Sequence, residues 1–420
     1  MNITIFGLGY VGCVTAALMA KDGHNVFGVD ISEQKVNQLS NGISPIVEPG
    51  LDEIVAEVHA SGKLRATLDV KEGLENSEVS LICVGTPSAN DGSLDLRYVK
   101  QVAAQIGQNL SVTNGKHTIV VRSTVLPGST RGHIIPVVEK AAGCSVGDRF
   151  EVCTNPEFLR EGSSIKDYYE PPRILVGERI AGAGSVVHDL YNEVEAERYS
   201  VDLEVAEAVK YSDNAFHAMK VVFANEIDRV WSAVGADPKQ VMKIVAADSK
   251  LNISPYYLRP GFAFGGSCLP KDLRALCSLA KSNQANLPML ENLIPSNKIH
   301  IEHSVAKIKA TGYRKIALVG LAFKSDTDDL RESPYVALAK VLIGEGYDLN
   351  IYDPIVQMSG LNGSNKQYMC QEIPHITRLI HDDFQRVIKV SELIVVGHSF
   401  PMQESEADWI SKGKHFLHLG

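Results

Sequence analysis

Ile3-Thr4-Ile5-Phe6-Gly7-Leu8-Gly9-Tyr10-Val11-Gly12 decides the fold. A short β-type run meets three glycines at the spacing G-x-G-x-x-G, and the small-residue run 14–20 follows with helical character. A second apolar run, residues 26–29, ends at Asp30. Strand, glycine turn, helix, strand and terminal acid together make a βαβ unit that binds a dinucleotide. Gly7 permits the tight turn, Gly9 lets a pyrophosphate approach, and Gly12 lets helix and strand pack closely. Asp30 would accept from both ribose hydroxyls and repel a 2′-phosphate, which favours NAD over NADP.

The α/β alternation continues. Residues 79–84 read as a strand running into Gly85-Thr86-Pro87, and 118–122 as another running into Ser123-Thr124-Val125-Leu126-Pro127-Gly128. Loops at the carboxyl ends of such strands bind ligands in open α/β sheets. Thr86 and Thr124 are therefore candidate cofactor contacts, with capping of the next helices as the competing reading. Val152-Cys153-Thr154 leads into Asn155-Pro156-Glu157-Phe158-Leu159-Arg160-Glu161, which sets two carboxylates four apart. They serve either catalysis or a solvated helix start. Towards the C-terminus a second βαβ pattern appears: strand 315–320, helix 334–346 and strand 349–353, ending in Asp353. Its glycine fingerprint is lost and replaced by the polar loop 324–331, where Lys324 can meet phosphate. Runs 393–396 and 415–419 complete a small sheet. The expected fold is α/β, with two Rossmann-like doubly wound domains joined by a long central helix. The boundaries are 1–201 for NAD binding, 202–300 for a central helical, dimerising region, and 301–420 for the second Rossmann-like domain.

That central helix is the proline-free pattern from residue 202 to about 235. Lys210, Asn214 and His217 fall at i, i+4 and i+7 and share a face, with Asn225 further along on roughly the same side. A solvated polar face is the usual meaning of such spacing. A Lys beside an Asn is also a standard way to hold an oxygen that gains charge, and this second reading is preferred here.

Phe264-Gly265-Gly266-Ser267-Cys268-Leu269-Pro270-Lys271-Asp272 sets a cysteine after two glycines and at a helix start. The glycines would let backbone approach a ligand, and the pattern has no evident core-packing purpose. Pro270 suits the first turn. A helix N-terminus favours thiolate, and Lys271 adds a cation. Asp272 pulls the other way, so it needs another role. A nucleophile is preferred over a structural thiol.

With 420 residues the chain is too long for one ordinary core. Hydrophobic content of 45% and charged content of 22% are those of a soluble globular protein, and a net charge of −9 argues against nucleic acid or an anionic membrane as partner. No run is apolar enough to span a bilayer, and the opening residues carry no basic n-region or cleavage site. Seven cysteines without CxxC spacing suggest neither a disulfide framework nor a metal site. A cytoplasmic protein is expected.

These motifs together resemble the UDP-glucose/GDP-mannose dehydrogenase family, the nucleotide-sugar 6-dehydrogenases, over nearly the whole chain. The resemblance rests on Gly7 to Gly12, Gly85-Thr86-Pro87, Arg122-Ser123-Thr124-Val125, residues 155–161, Lys210-x3-Asn214, Gly265-Gly266-Ser267-Cys268 and Thr327-Asp328-Asp329-Leu330-Arg331. Residues 254–264 and His217 look like the GDP-mannose branch, whereas Ser44-Pro45-Ile46-Val47-Glu48-Pro49-Gly50 is shared more widely. The resemblance implies NAD as cofactor and GDP-mannose as substrate, with UDP-glucose as the alternative, and a homodimer or higher homo-oligomer feeding alginate-type polymers.

It also implies the roles. Cys268 captures the aldehyde as a thiohemiacetal and carries the thioester. Lys210 and Asn214 hold the developing oxyanion, Asp272 partners a water or proton, Glu157 serves hydrolysis and Glu161 positions substrate. Tyr10, Val11, Lys35, Lys271 and Arg331 join the cofactor site, with Thr124 beside the nicotinamide. His217, Asn225, Tyr256, Tyr257, Arg259, Phe262 and Lys324 line the sugar nucleotide. A two-electron β-hydroxyacid dehydrogenase also pairs a Rossmann domain with a helical Lys-x3-Asn but needs no thiol. A catalytically silent sensor needs no nucleophile. Cys268 argues against both.

Overall fold

The computed structural model describes the chain apart from residues 89–92, 114, 255–260, 267, 324–329, 357–371, 374–377, 398–404 and 420. It forms two compact units, Met1–His217 and Ala218–Gly420.

In the first unit β1 (Asn2–Phe6), β2 (Asn25–Val29), β3 (Leu64–Thr67), β4 (Val79–Ile82), β5 (His117–Val121), β6 (Phe150–Thr154), β7 (Ile174–Glu178) and β8 (Arg198–Asp202) make one sheet. Their order is β3-β2-β1-β4-β5-β6-β7-β8. The first six follow the doubly wound nucleotide-binding order. All neighbours are parallel except β6 and β7. Ile3 lies opposite Val26 on one side and Val79 on the other, so the strand order reverses at β1. Strands β4 to β7 are buried along their whole length, which is why they read as unbroken apolar runs. The strand expected over 79–84 stops at Ile82, whose ladder partner Val121 is the last residue of β5. Cys83 and Val84 belong to the wall of a cleft.

His117 opens β5 with no exposed surface. Its Nε2 lies 2.7 Å from Ser80 Oγ and its Nδ1 3.2 Å from the Ser77 carbonyl oxygen. Burial pushes its pKa down to about 4. An unfolded chain's imidazole titrates near 6.5, so between those values the unfolded state binds the extra proton and stability falls as pH drops. We expect His117→Gln to remove about 2 kcal/mol of the stability that the parent loses between pH 7 and about pH 5. Urea unfolding at both pH values checks this, and a variant as acid-sensitive as the parent would acquit the histidine.

The second unit holds a four-stranded parallel sheet of β9 (Lys315–Val319), β10 (Asp348–Tyr352), β11 (Leu393–Val396) and β12 (His415–His418), in the order β10-β9-β11-β12. Helix Pro334–Gly344 links β9 to β10 and buries Tyr335, Val336, Leu338, Ala339 and Leu342. The G-x-G-x-x-G spacing is lost as expected, with Ala322 and Ser325 at its second and third places, but its first glycine remains and keeps the turn. Gly320 has φ +92° and Gly7 has φ +93°. The N–H of Gly320 donates to Tyr352 just as that of Gly7 donates to Val29, both at 2.8 Å. Asp353 accepts from Leu321 N at 2.7 Å as Asp30 accepts from Leu8 N at 2.6 Å. Asp353 then takes further N–H groups from Ala322, Ile355 and Val356. Four donors use the capacity of a carboxylate, so this acid is wholly committed to the turn.

Candidate active site

A cleft of about 460 Å³ opens over the carboxyl ends of β1, β2 and β4, lined by Gly7, Gly9, Asp30, Lys35, Cys83 and Gly85 among others. A Cβ on Gly12 would lie 1.8 Å from the Gly7 carbonyl oxygen, so only glycine lets the helix Tyr10–Lys21 start this close to β1. That helix has Gly9 as its N-cap and no side-chain cap, which leaves first-turn N–H groups for a phosphate. Asp30 accepts from Leu8 N at 2.6 Å and Ser32 N at 2.8 Å, with Lys35 Nζ 3.5 Å away. Two donors out of about four leave room for ribose hydroxyls while the carboxylate stays aimed. These residues fit NAD. Val11 lies in the same first turn.

Tyr10 turns its hydroxyl to the buried Glu48, 2.5 Å away. Glu48 also accepts from Gly162 N and Ser164 N, both at 2.8 Å. Burial opposes its charge, but these bonds outweigh it and hold the carboxyl below its usual range. The 44–50 stretch thus fastens the glycine turn to the segment after β6. Thr86 Oγ1 donates to the Thr124 carbonyl at 2.9 Å. Neither threonine caps a helix, since the helices that follow begin at Arg97 and Thr130.

Lys210 sits on the helix Leu203–Ala233, in a buried stripe with Leu203, Ala206 and Glu207. Glu207 accepts from Gly128 N at 2.6 Å and Thr130 N at 2.9 Å, tying the stripe to the loop that carries Thr124. Burial raises the pKa of Glu207. Lys210 Nζ is 3.1 Å from Glu157 Oε1 and 5.4 Å from the centre of the Phe158 ring. Arg173, ion-paired with Asp213, also lies over the Phe158 ring, 4.5 Å from its centre. An ammonium held between a carboxylate and an aromatic ring, only 8% exposed, is equipped to meet an oxygen that gains charge.

The two acids do not form a solvated helix start. Residues 155–160 form no helix, the next helix begins at Ser164, and Glu161 is exposed on a turn while Glu157 meets Lys210. Asn155 is part of a buried network: Arg122 Nη1 donates to Asn155 Oδ1 at 2.6 Å and to Tyr191 Oη at 2.8 Å. Asn214, His217 and Asn225 are exposed.

In the second unit Cys268 is exposed and directly precedes the helix Leu269–Ser282. Cys13, Cys83 and Cys153 are buried, and burial pushes each thiol up to about 12. Those three are poor rivals as nucleophiles. Lys271 and Asp272 pair with each other at 3.3 Å, with both side chains largely exposed. Such a pair contributes little to stability, so both groups are at low cost to engage elsewhere.

The glycines do have a packing purpose, which corrects the expectation. A Cβ on Gly265 would lie 2.4 Å from the Glu332 carbonyl oxygen and 2.5 Å from Pro334 Cδ. Gly266, at φ +88°, would push a Cβ to 2.9 Å from the Phe323 ring. Phe262 likewise packs on Tyr335, ring centres 4.8 Å apart. Arg331 is exposed. Tyr256, Tyr257, Arg259 and Lys324 lie outside the described residues. The Phe158, Arg173, Glu207 and Glu48 contacts escaped the sequence reading because each joins residues far apart in the chain.

Three family models match: UDP-glucose/GDP-mannose dehydrogenase family, NAD binding domain, over residues 1–195, central domain over 204–299, and UDP binding domain over 317–400. GDP-mannose 6-dehydrogenase of Pseudomonas syringae pv. tomato is 47% identical over 419 residues, covering 100% of this chain and 96% of the relative. UDP-glucose 6-dehydrogenase of Bacillus subtilis is 34% identical over 84% of this chain and 80% of its own length. The crystal structure of a ternary complex of GDP-mannose dehydrogenase from Pseudomonas aeruginosa superposes with TM-score 0.94 at 45% identity, covering 100% of this chain and 96% of that one. A UDP-glucose dehydrogenase from Pyrobaculum islandicum gives TM-score 0.58 at 32% identity, covering 99% and 93%.

Proposed function

Because the chain belongs to the UDP-glucose/GDP-mannose dehydrogenase family, we propose that it oxidises GDP-mannose at C6 to GDP-mannuronate, with NAD as cofactor. The observation that carries the sugar is the graded likeness. Full-length identity is 47% to a GDP-mannose enzyme and 34% to a UDP-glucose enzyme over a shorter span. When bound, NAD takes up one hydride in each of two oxidations.

The chain's own residues supply the rest. Lys210 meets the charge that develops on O6, and Asn214 orients it. The C6 alcohol loses a hydride and a proton to become an aldehyde. Cys268 adds across the carbonyl: a C–S bond forms and the proton ends on oxygen. The thiohemiacetal loses a hydride and its hydroxyl proton, leaving a thioester. Water, placed by Glu157 and Asp272, breaks the C–S bond to give the acid and restore the thiol. Covalent capture keeps the aldehyde from escaping between the oxidations. Glu161, His217, Asn225, Tyr256, Tyr257, Arg259, Phe262 and Lys324 line the sugar nucleotide, and Tyr10, Val11, Lys35, Thr86, Thr124, Lys271 and Arg331 the cofactor. The same reading has a cytoplasmic homodimer or higher homo-oligomer supplying an alginate-type polymer.

Purified protein, NAD and either GDP-mannose or UDP-glucose should decide the matter. About two NADH are expected per GDP-mannose consumed, since an alcohol becomes an acid in two hydride transfers. Turnover with UDP-glucose alone would overturn the substrate.

A further inference from the structure

The segment that leads to Cys268 runs along one helix, where one side chain holds it at both backbone groups of a single residue. Asn297, on helix Leu293–Ala310, accepts from Phe264 N at 2.9 Å through Oδ1 and donates from Nδ2 to the Phe264 carbonyl oxygen at 2.8 Å. The two bonds reproduce a backbone pairing with a side-chain amide. One turn later His300 Nε2 sits 2.8 Å from the Gly261 carbonyl oxygen, so the same face touches the segment twice. After Phe264 the next two residues are held by close packing: Gly265 and Gly266 fit against residues 332–334 and Phe323, and Gly266 N reaches the Glu332 oxygen at 3.4 Å. A space of about 220 Å³ lies beside the loop, lined by Phe264, Pro270, Asn297 and Pro334 among others. A segment freed from Asn297 has room to shift into it.

We propose that Asn297 is a positioning residue for the thiol, fixing Phe264 so that Cys268 meets the aldehyde before it escapes. This rests on the Cys268 chemistry proposed above. A nucleophile misplaced by about 1 Å loses on the order of 10²-fold in rate. The loss should fall on capture of the aldehyde, and neither NAD binding nor the first oxidation needs the thiol.

The test turns over GDP-mannose with semicarbazide present, and compares wild type, Asn297→Ala, Asn297→Asp and Cys268→Ser. Aldehyde trapped per NADH, acid formed and NAD affinity are measured. Asn297→Ala is expected to slow acid formation about tenfold to a hundredfold and to release trappable aldehyde, with NAD affinity unchanged. A change confined to stability would leave the trapped fraction at the wild-type value, and that result overturns the proposal. Asn297→Asp keeps the size and the bond accepted from Phe264 N but loses the donated one. It therefore serves if the alanine variant does not fold, and a folded Asn297→Asp that retains all its aldehyde is equally fatal. Acid made by Cys268→Ser at the wild-type rate would remove the thiol mechanism and this inference together. A normal Asn297→Ala beside a dead Cys268→Ser removes the inference alone.

Discussion

Cys268→Ser should make essentially no uronate, with acid formation down by ~10³-fold or more. A serine hydroxyl is a far weaker nucleophile towards a carbonyl than a cysteine sulfur. Oxidation of a hemiacetal would also leave an oxygen ester, a poorer acyl donor to water than a thioester. The substitution is close to isosteric and the side chain is exposed, so folding is not at stake. The product should change in kind: NADH per sugar falls from two towards one, and aldehyde becomes trappable. The buried thiols of Cys13, Cys83 and Cys153 offer no replacement, being pushed up to about 12. Normal acid formation by this variant would end the covalent mechanism.

Lys210→Ala is expected to lower kcat by about 10²- to 10³-fold, the range seen when a donor to a developing oxyanion is removed. Its position makes the effect electrostatic in origin. The ammonium is nearly buried, 3.1 Å from Glu157 and over the Phe158 ring, so little water is at hand to replace it. Lys210→Arg should rescue little, since a planar guanidinium does not occupy the place of a compact ammonium. Removing the lysine also leaves Glu157 without its cation, at about 1–3 kcal/mol for a partly buried charge. NAD titration of the variant separates that loss from misfolding, because the cleft over β1 and β2 does not include Lys210. A kcat near that of the parent would take Lys210 out of the chemistry.

Periodicity and turn chemistry made the frame legible. The 3-to-12 stretch yielded β1, its glycine turn and the helix behind it, because apolar pattern and glycine spacing mark each of them locally, although β1 pairs with strands far along the chain. The proline-free pattern after residue 202 became the helix Leu203–Ala233. What stayed hidden was pairing at long range. Nothing in 155–161 announces that Glu157 meets a lysine on another element while Glu161 faces outward. Gly265 and Gly266 were misread for a related reason. A glycine excluded by a ligand and one excluded by a distant carbonyl or ring look the same in sequence, and only the fold told them apart. The second domain's Gly320 and Asp353 were half legible: the acid was noticed, but not the turn it holds.

The packing of Gly265 on residues 332–334 has a bearing on synthesis. A ribosome delivers the cysteine well before it delivers β9 and the helix that follows. Until those emerge, the loop has nothing to close against, and the thiol belongs to an unorganised chain. The turn that carries the cysteine thus takes its shape late, once residues 332–334 are in place. A product truncated before Glu332 would carry Cys268 without the packing that shapes the turn before it.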